Sequence, residues 1–154
     1  MAAPTRILLV DSDEAFLEPL QFVLNQAGYE TFVARDGNAA LAMVDQTSPD
    51  LMVIEAVLPR RSGFAVLENL VHRTFPVILT TNSLAQGQKQ WAERLGAFEL
   101  LRKPFALSAL LESIERAIKG RQTPRAIEPL TKSLPGGGIG SIFVSKALLN
   151  QLIA

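Results

Sequence analysis

Apolar residues gather along the chain in five short runs: Arg6–Val10, Glu30–Ala34, Leu51–Glu55, Pro76–Thr81 and Phe98–Arg102. Most are apolar without alternation, which is the pattern of strands covered on both faces. After each run the apolar positions change to helical spacing: Phe16, Leu20, Val23 and Ala27; Ala40, Leu41 and Val44; Phe64, Leu67 and Leu70; Leu84, Trp91 and Leu95; Leu107, Leu111, Ile114 and Ile118. Strand followed by helix, five times over, predicts an α/β domain built round a parallel sheet. Gly28, Gly96 and Gly120 stand where helices should stop, and Asp36-Gly37 marks a turn. Pro19 is a local conflict. It falls inside the first helical pattern, lacks an N–H and crowds the Ala15 carbonyl, so a kink or a ragged first turn is expected there.

Beyond Gly120 the texture changes. Residues 121–140 hold Pro124, Pro129, Pro135 and the run Gly136-Gly137-Gly138, and read as a linker. Residues 141–154 read as an amphipathic C-terminal helix, with Ser141, Ser145, Lys146, Asn150 and Gln151 on one side and apolar residues elsewhere. So apolar a helix has to dock, on residues 1–120, on a second copy or as the start of a longer protein, and a homodimer through this tail is the reading favoured.

A length of 154 residues, 48% of them hydrophobic, suits one well-buried domain and an appendage better than two domains. Fifteen basic and fifteen acidic residues leave no net field to recommend nucleic acid or an anionic membrane as a partner. The absence of cysteine excludes disulfides and thiolate chemistry, and the lone His72, read as a surface residue, excludes a histidine-rich metal site. No run approaches the roughly eighteen apolar residues of a membrane span, and no signal-peptide pattern opens the chain, so a cytoplasmic protein is expected.

In a parallel sheet of this kind ligands collect at the carboxyl ends of the strands. Those ends carry Asp11-Ser12-Asp13, Glu55, Thr81-Asn82 and Arg102-Lys103-Pro104, so acids, hydroxyls and an ammonium group converge on one edge. Each also has a plainer reading. Asp13 caps the first helix in any case, Thr81 is a good strand residue, and Lys103 is an ordinary surface cation but for the adjacent Pro104. Arg60 and Arg61 read as a solvated pair near the site. Trp91 reads as partly exposed, because Gln88, Lys89, Gln90, Glu93 and Arg94 around it are polar.

Five strings, Ile7–Glu14, Pro49–Glu55, Leu58–Phe64, Pro76–Thr81 and Lys103–Phe105, together resemble the receiver domains of two-component response regulators. They run in order over residues 5–120, about three-quarters of the chain. The resemblance implies a doubly wound five-stranded sheet in the order 2-1-3-4-5 with five helices, to which the tail helix is added. It also implies a cis bond before Pro104. It places the phospho-accepting aspartate at Glu55 and an acidic pair at Asp11 and Ser12, beside Asp13. The switch hydroxyl falls at Thr81, a small residue at Asn82, the switch aromatic at Leu100 and the site lysine at Lys103. The metal position falls on Asp11, Glu55 and Val57, which are vestigial here.

The departures have physical consequences. Mg2+ seeks an octahedral shell of oxygens, and a hydroxyl at Ser12 in place of a carboxylate removes a full charge, so binding should be weak or absent. Without that ion the charge on a transferring phosphoryl group loses its main stabiliser. The extra methylene of Glu55 carries its carboxylate roughly 1.5 Å past the attacking position, more than in-line transfer tolerates. Glu55 is instead expected to pair with Lys103 and the Thr81 hydroxyl as a fixed charge. Leu100 in place of a ring argues that the coupled swing of hydroxyl and aromatic is lost.

The favoured reading is thus a non-enzymatic pseudo-receiver, independent of phosphorylation and cofactor-free. It would present its fourth helix, fifth strand and fifth helix, with Trp91 and Leu100, to a signalling protein. The alternatives are a phosphoacceptor with an unusual site in a phosphorelay, using Asp11, Asp13 or Glu55, a small-molecule sensor, and a disabled site left as scaffold.

Overall fold

Residues 3–83 and 85–122 of the chain are described by the computed structural model, the side chains of residues 121 and 122 excepted. Five strands, β1 (Arg6–Val10), β2 (Glu30–Ala34), β3 (Leu51–Glu55), β4 (Val77–Thr81) and β5 (Glu99–Arg102), alternate with five helices. The helices are α1 (Glu14–Gln26), α2 (Gly37–Thr47), α3 (Gly63–Asn69), α4 (Gln88–Arg94) and α5 (Leu107–Gln122). All strands are parallel, in the order β2-β1-β3-β4-β5.

The central strands β3 and β4 are buried along their whole length, whereas the edge strands β2 and β5 are only partly covered. Alternate side chains feed two cores. Leu8, Met52, Ile54, Leu79 and Phe64 pack on the α2, α3 and α4 face, and Ile7, Val53, Ile78, Leu24 and Ile114 on the α1 and α5 face. Two helices on one side and three on the other leave the strand ends, not the faces, open to a ligand.

Local caps fix where the helices begin. Asp13, Asp36 and Ser62 each accept a backbone N–H of the first turn, from Ala15, Ala39 and Ala65 respectively. The Asp36-Gly37 turn is thus a helix start. Gly37 is required by space, since a Cβ there would lie 2.0 Å from the Arg61 carbonyl oxygen. Gly63 allows the same closeness: its Cβ would meet the Glu55 carbonyl oxygen at 2.3 Å, so α3 begins directly against the strand end that carries Glu55.

Helix α1 runs as one element from Glu14 to Gln26 with Pro19 inside it, at an exposed position where solvent can take the carbonyl that the missing N–H leaves open. Gly28 and Gly96 do adopt positive φ after their helices, but α5 passes through buried Gly120 to Gln122, and so includes the first two residues of the expected linker. The rest of that linker and the amphipathic helix over 141–154 lie outside the described residues. Among the described residues no helix is long and apolar enough to cross a membrane.

Candidate functional site

The sheet brings Asp11, Glu55 and Lys103 together at the carboxyl ends of β1, β3 and β5. Asp11 and Glu55 are 1% and 5% exposed. The Lys103 ammonium lies 2.5 Å from Asp11 Oδ2 and 3.5 Å from Glu55 Oε1. It also sits 4.1 Å from the centre of the Phe16 ring, which meets Phe105 edge to face. Lys103 follows Thr81 in the sheet by donating its backbone N–H to the Thr81 carbonyl, and the Lys103–Pro104 bond is cis.

Asp11 is committed on both oxygens, because Oδ1 accepts the Asp13 N–H at 2.8 Å. Glu55 Oε1 accepts from the Asn82 amide at 3.2 Å. Burial, and next the Asp11 carboxylate beside it, push the Glu55 carboxyl above its ordinary range, while Lys103 pulls it back. Two buried carboxyl groups and one ammonium therefore share the site.

The expected partnership of Glu55 with Thr81 is corrected here. Thr81 is buried, but its hydroxyl donates to the Ser83 carbonyl at 2.7 Å and lies 3.3 Å from Gln88 Oε1, so it faces the β4–α4 loop. The reason is the pleat: Glu55 is in register with Thr80, so Thr81 points to the opposite face. Thr80, opposite Glu55, has a buried hydroxyl with no hydrogen-bond partner.

Ser12 and Asp13 are exposed at the mouth, with Asp13 used as the α1 cap, and Val57 is 68% exposed in the loop after β3. Arg60 and Arg61 are not merely solvated. Arg60 pairs with Asp36 at 3.4 Å and Arg61 donates to Asn38 at 2.9 Å, which bolts the loop after β3 to the start of α2. Leu100 is half-buried on β5 and Trp91 is 40% exposed on α4, its ring stacked on Phe64 with centroids 4.3 Å apart. His72 is exposed just past α3, as expected.

The donor set does not fit a divalent cation. Each Asp11 oxygen already accepts a hydrogen bond, the Lys103 ammonium lies against both Asp11 and Glu55, and Ser12 brings no charge. Among the described residues no three acids or imidazoles group to hold a metal. Two participants were not legible as such. Asn82 stood out only as a replacement for a small residue, and Phe16 only as an apolar helix position. An amide following the switch hydroxyl was the one available signal.

The response regulator receiver domain model matches residues 7–115, so the chain belongs to that family, the receiver modules of response regulators in two-component signalling. Among curated proteins it is 33% identical over 116 residues to the sensory transduction protein RegX3 of Mycobacterium tuberculosis, covering 75% of this chain and 51% of that protein. It is 35% identical to the response regulator MprA of Mycolicibacterium vanbaalenii, covering 98% of this chain and 73% of the relative. The chain thus spans about half the length of the first of these relatives. Among solved structures it resembles the receiver domain of a Methanospirillum hungatei response regulator, with a TM-score of 0.75, 26% identity and coverage of 78% of this chain and 98% of the other. The non-phosphorylated HemR receiver domain of Leptospira biflexa matches at 32% identity and a TM-score of 0.69, over 74% and 94% of the two chains.

Proposed function

We propose that this receiver works without phosphorylation, as a protein-interaction module in two-component signalling whose site holds a fixed charge arrangement. The observation that carries this is the Lys103 ammonium lodged between Asp11 and Glu55. A receiver that takes a phosphoryl group needs a carboxylate at attacking distance and a cation to stabilise the charge on the transferred group. Here the acceptor position carries the longer Glu55, and the position of the second acid carries Ser12.

The α4–β5 side supports a role in binding a signalling protein. Leu100 leaves, with Ala92, Ala97 and Phe98, the apolar floor of a groove of about 360 Å³, rimmed by Lys89 and Glu93. Trp91 is on the same short helix, partly exposed, and large aromatic residues of this kind anchor protein interfaces. The reading of a small-molecule sensor is less well supported, because both acids are already engaged by the Lys103 ammonium.

Calorimetric titration with Mg2+ tests the proposal directly: the unsubstituted chain should show no binding heat, whereas the double variant Ser12→Asp, Glu55→Asp should bind the ion. A saturable response of the unsubstituted chain would defeat the proposal.

A further inference from the structure

Position 55 communicates with the rest of a receiver only through what its side chain touches, and here it touches neither hydroxyl of β4. Thr80, directly opposite it in register, keeps an unpartnered buried hydroxyl, and Thr81 turns to Ser83 and Gln88. The contact that exists is with the side-chain amide of Asn82, one residue past the strand. We propose that Asn82 disconnects position 55 from α4: by taking Glu55 Oε1 it leaves the Thr81 hydroxyl committed to the β4–α4 loop.

The geometry makes such a disconnection workable. Asn82, one residue past Thr81, returns to the face that carries Glu55 and donates its amide to Oε1 at 3.2 Å, so the nearest acceptor on that side chain is already engaged. As placed, the Thr81 hydroxyl also accepts the Ser83 N–H at 3.2 Å, so leaving the loop costs it two bonds to the Ser83 backbone. Helix α4 meanwhile has anchors that owe nothing to the site. Trp91 stacks on Phe64 with the rings 3° from parallel, and the Arg73 guanidinium reaches from beyond α3 to the carbonyls of Leu95 and Gly96 at 3.0 and 2.8 Å. While Asn82 holds Glu55, these anchors and the Thr81–Gln88 contact are what set the position of α4, and none of them involves residue 55.

This inference rests on reading Glu55 as a fixed charge, and its test uses no phosphodonor, so that phosphorylation cannot enter the result. Glu55→Gln is placed in the whole chain twice, once with Asn82 and once with Asn82→Ala, and Trp91 emission and hydrogen exchange of the β4–α4 loop are read in each. With Asn82 present, Glu55→Gln should leave both signals unchanged. With Asn82→Ala, the same change should shift the Trp91 emission and alter loop exchange, and adding Thr81→Val should abolish that response. Asn82→Ser is the second variant should the alanine form not fold. Equal responses in the two backgrounds, no response in either, or a response that survives Thr81→Val would each overturn the proposal. Uptake of phosphate in a separate experiment would instead overturn the reading of the site while leaving this cycle standing.

Discussion

The strand-end edge of this domain has two halves that behave differently. On the β1, β3 and β5 side, Asp11, Glu55, Lys103 and Phe16 form a closed set in which each charged group has a partner. On the β4 side, two threonines at the strand end serve other ends: the Thr80 hydroxyl is buried unbonded and the Thr81 hydroxyl faces the loop. Two ingredients of a switch, charge and hydroxyl, are therefore both present and not joined. The lesson is that a receiver sheet keeps its order and register with Glu55 and Asn82 at its strand ends.

The largest effect should come from breaking the closed half. Lys103→Met strips the ammonium from two buried carboxylates and is expected to cost roughly 3–5 kcal/mol of stability, measured by urea unfolding. A loss under about 1 kcal/mol, the range of an exposed pair, would show the ammonium to be solvated rather than lodged. Next comes the joint that holds α4 to α3. Arg73 donates to three carbonyls, and burial lowers the pKa of its guanidinium, so Arg73→Ala should cost on the order of 2 kcal/mol and loosen the turn at Gly96.

The open half offers the opposite sign. Thr80→Val removes a buried hydroxyl that has no partner and keeps the shape of the side chain, so it should stabilise by about 1 kcal/mol. A destabilised variant would mean that the hydroxyl is bonded in solution.

How far this division was readable in the sequence depends on the kind of interaction. The sheet, its order and its strand ends were legible, because unbroken apolar runs and helical spacing report burial directly. The meeting of Asp11, Glu55 and Lys103 was legible too, since strand ends of a parallel sheet share one edge. What failed was the direction of Thr81: a one-residue step along a strand reverses the face, and the reading joined two side chains that the pleat sends apart. The end of α5 was misjudged at Gly120 because a glycine is tolerated inside a packed helix, where tertiary contacts outweigh its propensity.

The smallest expected effect is on pH dependence. The folded chain holds the Glu55 proton more tightly than the unfolded chain does. Between the ordinary value of 4.5 and the raised one, folding therefore takes up protons and stability falls as pH rises. Glu55→Gln should thus be slightly more stable than the unsubstituted chain at neutral pH, with the advantage gone below pH 4.5. An advantage that grows on acidification would reverse the sign and refute the cause assigned.

Independence from phosphorylation is tested most directly by intact-mass measurement after incubation of the chain with a small acyl phosphate and Mg2+. An unchanged mass is the result predicted. A stable gain of one phosphoryl group, mapped to Asp11, Asp13 or Glu55, would contradict it.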